Sequence, residues 1–274
     1  MKLVKILLPI NQRGTTEACA ASAFRLAERS GAAIEVLHPC PAPADRLPYA
    51  TELSPFYFEE LIDVGQKQVA LEKREAEIWL TKTAQTFPKV RAGLSDIEGL
   101  VATTVAMHAK GADLTVLPSL DESHDAFFAS ARDAALFQSG RPVLMVPTGT
   151  RSVSAETVVV AWKDAVEAVR ALAAAASFLA EAKHVRLLSV TEHGDDETAA
   201  MIADYLTEGG ASVELVRFPL QSHEVGQVLL DAAAGEGALL VMGAYGRWRW
   251  RERLFGGATQ YVLRNTKVPV LMAH

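Results

Sequence analysis

Cysteine is nearly absent from this chain: Cys19 and Cys40 are the only two, and their separation matches no metal-ligand spacing. That excludes a cysteine-rich zinc module; one disulfide is open in principle, but two free thiols in a reducing cytoplasm are the expectation. Long apolar runs are also missing, since no segment approaches the roughly 20 residues of a membrane-spanning helix. The opening "MKLVKILLPIN" has an apolar run too short for a secretory core and no small-residue cleavage site after it, so a soluble, cytoplasmic protein is expected. Positive charge does not dominate. The net charge of −6 argues against broad nucleic-acid binding, which needs a basic field. Catalytic signatures are lacking too: the chain has no G-x-S-x-G elbow, no H-E-x-x-H pair, no Gly-Lys-Ser/Thr phosphate loop and no G-x-G-x-x-G fingerprint.

What the chain has in quantity is apolar material. Half of its 274 residues are hydrophobic, enough for two ordinary cores. That material is laid out twice. "VKILLPIN" (Val4–Asn11) and "TVVVAWKD" (Thr157–Asp164) both read as buried strands, each followed by an Ala-rich helical stretch and a second strand, "AAIEVLHP" and "VRLLSVTE". "GADLTVLPS" (Gly111–Ser119) matches "GALLVMGA" (Gly237–Ala244), and "RPVLMVP" (Arg141–Pro147) matches "KVPVLMAH" (Lys267–His274). Short apolar runs alternating with helical patterns imply βαβ units, with parallel strands and helices on both faces. The fold class is therefore α/β, with two tandem, open, mostly parallel five-stranded sheets flanked by helices.

The halves meet in "TGTRSVSAE" (Thr148–Glu156), which is small and polar, so domains are expected at 1–148 and 156–274. They differ mainly at an insertion of about 41–86. There a proline-rich loop leads to Ser54-Pro55, an N-cap followed by proline at the first helical position, and a long charged helix runs to about Thr86. Its "EKREAE" stretch reads as a solvated face. In the second half, Val225, Val228, Leu229 and Ala232 form one apolar helical stripe, which is core packing.

One segment resists a purely structural reading. "GAYGRWRWRERLFGGAT" (Gly243–Thr259) joins the strand "ALLVM" to the helical "GGATQYVLRN", with glycines at both ends and four arginines and two tryptophans between. Ligands of open α/β sheets settle outside the carboxyl ends of the strands. Glycine lets a backbone approach them closely, and the free N–H groups of Gly257, Ala258 and Thr259 at a helix start would face an anion. The spacing Gly243-x2-Gly246-x9-Gly256, with its flanks "LLVMGAYG" and "VLRNTKVPVLM", resembles the nucleotide loop of the universal stress protein family. The likeness covers nearly the whole chain as two tandem copies. It implies a Rossmann-like fold of the adenine-nucleotide alpha hydrolase type, with domains paired through their last strands. It also implies an ATP-like adenine nucleotide held without a defined reaction.

The resemblance places phosphate on the backbone N–H groups of Gly246 and Gly256–Thr259, and the base beside Ala161 and Val190, which end the first two strands of the second half. Two departures stand out. Where family binders have Ser or Thr after the last glycine, this chain has Gly257, which loses a side-chain contact of about 1 kcal/mol. Where they have Asp after the first strand, it has Lys163, or Asn11 in the first half, and lysine accepts no hydrogen bond. Lys163 would be drawn instead to a phosphate or another anion, and Asp164 stands one step along. The first half departs further, with Pro118 in place of Gly243 and with Asp121, Glu122 and Asp125 nearby to repel phosphate. No nucleotide is expected there.

Other candidates read more simply. "RWRWRER" is a loop over the cleft, with Arg247 or Arg249 available to close on a phosphate. Single-strand binding by charge and stacking is the weaker alternative. Ser123, His124 and Asp125 are too close in sequence to converge as a triad. His193 with Asp195, Asp196 and Glu197 lacks a second cluster to complete a metal shell, so no metal is expected. His108 and His223 read as structural. The leading expectation is a non-enzymatic binding or regulatory module of the stress response with one nucleotide site. The alternatives are a degenerate interaction scaffold and a weak ATPase using Asp164. The two domains are expected to pair within the chain, and a further homodimer stays open.

Overall fold

The computed structural model describes residues 3–43, 55–119, 126–150, 152–191, 197–219, 225–235, 237–244 and 257–274. The first half runs β1 (Lys5–Pro9), α1 (Glu17–Ser30), β2 (Ala33–Cys40), α2 (Pro55–Thr86), β3 (Ala92–Glu98), α3 (Val101–Lys110), β4 (Leu114–Ser119), α4 (Ala126–Gln138) and β5 (Val143–Pro147). The second runs β6 (Thr157–Trp162), α5 (Val166–Ala174), α6 (Ala176–Leu179), β7 (His184–Thr191), α7 (Glu197–Glu208), β8 (Val213–Pro219), α8 (Val225–Ala232), β9 (Ala238–Gly243), α9 (Gly257–Asn265) and β10 (Val270–Ala273). The order of elements repeats, as the paired sequence runs imply.

The strands form one sheet of ten in the order β3-β2-β1-β4-β5-β10-β9-β6-β7-β8. Neighbours are parallel within each half, and the halves join where β5 and β10 run antiparallel, with Leu144 opposite Leu271. The two five-stranded sheets are thus continuous through their last strands. Both faces are covered, so the central strands read as unbroken apolar runs and not as alternations. Along β1, Ile6 and Leu8 face one layer while Leu7 faces the other, all fully buried. One layer takes Phe24 of α1, Ala76 of α2, Leu172 of α5, Phe178 of α6 and Leu206 of α7. The opposite layer takes Val105 of α3, Leu136 of α4, Leu229 of α8 and Val262 of α9. Each core spans both halves. Every fully buried leucine contributes about 2–3 kcal/mol of transfer free energy.

Local chemistry sets the element ends. Thr16 caps α1 by accepting from the Cys19 N–H at 3.2 Å, and Gly31, at φ 72°, ends it in the left-handed region. The Ala-rich stretch after β6, which reads as one helix, is two. The Ala175 N–H bonds the carbonyls of both Ala171 and Leu172, a tightened turn after which Phe178 enters the core.

The long helix is present as the charge pattern implies, but its "EKREAE" stretch is not simply a solvated face. Glu72 is buried; it accepts from the Cys40 thiol at 3.8 Å and from Gln68 Nε2 at 3.2 Å. Lys73 reaches Asp96 of β3 at 3.6 Å, and Asp96 also holds buried His38 at 2.7 Å. A carboxylate taken out of water needs partners, and α2 finds them on β2 and β3. Neither cysteine is in a disulfide and both are buried; burial pushes the Cys19 thiol up to about 12. Among the described residues, no helix is long and apolar enough to cross a membrane.

Candidate functional site

The second half offers a site where its strand order turns. β6 lies between β9 and β7, with Ala161 opposite Met242 on one side and Leu188 on the other. Chain leaving β6 crosses on the α5–α7 face, and chain entering β9 crosses on the α8 face. The carboxyl ends of β6 and β9 are therefore the place where ligands settle in open α/β sheets.

Several expected residues line up there. Ala161 is half-buried near the end of β6, and Lys163 and Asp164 stand exposed just beyond it, with no ion pair among the described residues. Val190 lies near the end of β7, its backbone opposite Phe218. Gly257, Ala258 and Thr259 form the first turn of α9. Thr259 is buried and Ala258 half-buried, while a Cβ built on Gly257 would meet nothing within 4 Å. Gly246 and Gly256 lie outside the described residues, as do Arg247, Trp248, Arg249 and Trp250. So do Asp121, Glu122, Ser123, His124 and Asp125 of the first half, and His193, Asp195, Asp196 and His223 of the second.

Gly243 has a packing duty of its own. A Cβ there would come within 2.7 Å of the Ala168 nitrogen and of the Glu167 carbonyl carbon, so the first turn of α5 rests on this glycine. Backbone on both sides cannot yield as a flexible side chain could. Asp164 also stands beside a helix start. It precedes Ala165, the N-cap of α5, which supplies no side-chain hydrogen bond, and a carboxylate suits that uncapped positive end. Trp162 is buried on the α7 side and donates its Nε1–H to Thr198 Oγ1 at 3.1 Å.

Four contacts that the sequence does not announce also frame this end of the sheet. The Ala244 N–H donates to the Ala273 carbonyl at 2.8 Å, and the Ala244 carbonyl accepts from His274 Nδ1 at 2.8 Å. The His274 ring meets Phe137 of α4 edge-on, with centroids 5.0 Å apart. Ser119, at the end of β4, donates its hydroxyl to the Leu263 carbonyl in the last turn of α9 at 3.2 Å. Nothing in local sequence marks these contacts, because the last two join the two halves.

The equivalent ground in the first half is filled by the protein. Past β1, Asn11 and Gly14 exchange backbone hydrogen bonds at 3.1 and 2.8 Å, and Asn11 Oδ1 accepts from the Arg13 N–H. Gly14, at φ 84°, lies directly under Trp79 of α2. Pro118 sits inside β4, opposite Val146 of β5. His108, which reads as structural, bonds Glu35 together with Ser95 and Lys5. Burial pushes the Glu35 carboxyl up, but hydrogen bonds from Lys5, Ser95 and His108 and the Lys5 charge outweigh it and hold it below the ordinary value. Among the described residues, no three His, Cys, Asp or Glu side chains gather as a metal site.

A family profile described as the universal stress protein family matches residues 155–274. That likeness covers the second half of the chain. Solved structures extend the fold across the whole chain. A universal stress protein from Archaeoglobus fulgidus DSM 4304 aligns with 98% of this chain and 95% of its own at 16% identity, with a TM-score of 0.67. A functionally unknown protein from Pseudomonas aeruginosa PAO1 aligns with 99% of this chain and 92% of its own at 15% identity, with a TM-score of 0.55. At such identities the likeness is one of fold, and it takes in both halves. No curated protein matches the sequence.

Proposed function

We propose that the second half binds an adenine nucleotide, with ATP as the reference ligand, in a cytoplasmic stress-response module that carries out no chemistry of its own. The observation that carries this reading is α9, which opens at Gly257 beyond the carboxyl ends of β6 and β9 with open ground at its first residue. The unpaired N–H groups of a helix start attract phosphate through both hydrogen bonding and the helix dipole. Backbone N–H groups of Gly246 and Gly256 through Thr259 would hold the phosphates, with Ala161 and Val190 beside the base and Lys163 adding a cation at the rim. Gly243 serves indirectly, by letting α5 seat against β9. The first half takes no nucleotide in this reading, because Trp79 and the Asn11–Gly14 turn occupy the corresponding ground.

Isothermal titration of the folded full chain with ATP, ADP, AMP and a cyclic nucleotide tests this. Saturable heat with at least one of them is expected, and uniformly silent traces overturn it. A weak ATPase would need Asp164 to bring a metal to the phosphates. Phosphate release no faster than from Asp164→Ala disposes of that alternative.

A further inference from the structure

Two of the contacts between the halves fall at the two ends of the element pair that frames the proposed seat. On one side, β9 gives way at Ala244 to the glycine-rich segment, and the Ala244 carbonyl is held by His274. A carbonyl only accepts, so Nδ1 carries the proton in this bond. The imidazole is in turn held edge-on by Phe137, which belongs to the first half. On the other side, α9 ends in carbonyls with no intrahelical partner, and Leu263 O receives a hydroxyl from Ser119, again of the first half. Ser119 directly follows Pro118, at the first-half position corresponding to the second half's glycine loop. The end of β4 there serves the neighbouring domain instead.

We infer that the first half is a brace for the second half's anion seat, with Phe137 and Ser119 as positioning residues acting through His274 and through the last turn of α9. This inference rests on the nucleotide reading for its functional meaning, while its physical content is independent of any ligand. A helix N-terminus binds an anion well only if its amides are already aimed, because orienting them on binding costs entropy. Ser119 fixes the last turn of α9, and with it the axis along which the first turn points, while His274 fixes the end of β9 beside it. A half with no expected ligand of its own thereby tunes the affinity of the other.

Two readouts on the full chain separate the claims. Amide exchange is followed at Ala238–Ala244 and at Gly257–Asn265, and a fluorescent ATP analogue is titrated. His274→Phe keeps a ring beside Phe137 but removes the donor; His274→Asn keeps a donor where Nδ1 stood. Phe137→Leu and Ser119→Ala act from the first half. His274→Phe, Phe137→Leu and Ser119→Ala should each speed exchange in the two stretches, leave β1, β2 and β7 unchanged, and weaken the analogue by about fivefold, the worth of one hydrogen bond. His274→Asn should stay within about twofold of wild type in both readouts. Unaltered exchange in Phe137→Leu and Ser119→Ala overturns the brace, whatever the analogue does. If the wild type ignores the analogue while the exchange changes appear, the nucleotide reading falls and the brace stands.

Discussion

The same place in the fold, just past the first strand of each half, has been put to two uses. In the first half the chain turns back on itself from Asn11 to Gly14, and Trp79 of a 32-residue α2 lies on the turn. In the second, the helix at α2's position, α7, has only 12 residues; Trp162 bonds to it from within the core, and Lys163 and Asp164 are left in solvent. Both halves are built as sheets of matching order, with buried central strands and more exposed edge strands. The difference teaches that the α/β body and its ligand end are separable. A duplicated domain can close its ligand end with its own side chains, such as Trp79, Glu72 and His38, without altering strand order.

The comparison breaks most visibly at its glycines. Gly14→Ala forces a Cβ into the Trp79 ring, 2.3 Å from Nε1, at a φ of 84° that alanine disfavours. A loss of about 3 kcal/mol in urea unfolding is expected. Gly243→Ala meets α5 backbone and should cost about 2–3 kcal/mol, with ATP binding weakened in step. A loss under about 0.5 kcal/mol at either site would contradict the close approaches described. Smaller in energy but sharper in meaning is Gly257→Ser. The position is open, and a hydroxyl there restores the contact that family binders have. Tightening of ATP by about fivefold in calorimetry is expected, while Pro118→Gly in the first half should create no binding at all.

Acidity probes the first half alone. Glu35 has a folded pKa below its unfolded value near 4.5, so its contribution is complete above that value and is lost as pH falls through the folded one. Acid unfolding of Glu35→Gln should therefore show a flatter slope below pH 4.5 than wild type. Because the carboxyl is partly exposed, solvent screening limits the difference to under about 1 kcal/mol. The smallest expected effect is none: at pH 8 the Cys19 thiol, raised to about 12, should resist alkylation until the protein unfolds.

Much of the architecture was legible because buried strands and amphipathic helices leave periodic traces. "VKILLPIN" and "TVVVAWKD" could be matched by eye, and both became central strands. The long helix could be bounded at Pro55 and Thr86 from proline and charge. Periodicity is silent on what a helix meets, however. Glu72 lies in a run that looks solvated, and only the approach of β2 reveals that it is buried against Cys40. The glycine spacing drew attention to the carboxyl ends of β6 and β9, yet could not say that Gly243 is occupied with α5. Ser119 and Leu263 are 144 residues apart, and Phe137 and His274 lie in different halves, so neither pair has a sequence signal. Contacts between duplicated units carry no motif, because each partner is chosen by the assembled surface.

The tail-to-tail junction of β5 and β10 has a further consequence. Two separate sheets would present four unpaired rims; this one has two, along β3 and β8. Proteolytic nicking between Pro147 and Thr157 would not therefore release two self-sufficient pieces once they part. Each would bare a hydrogen-bonding rim flanked by Leu144 or Leu271, a template that seeks a mate. The fragments should reassemble on mixing, and either one alone should pair with its own kind.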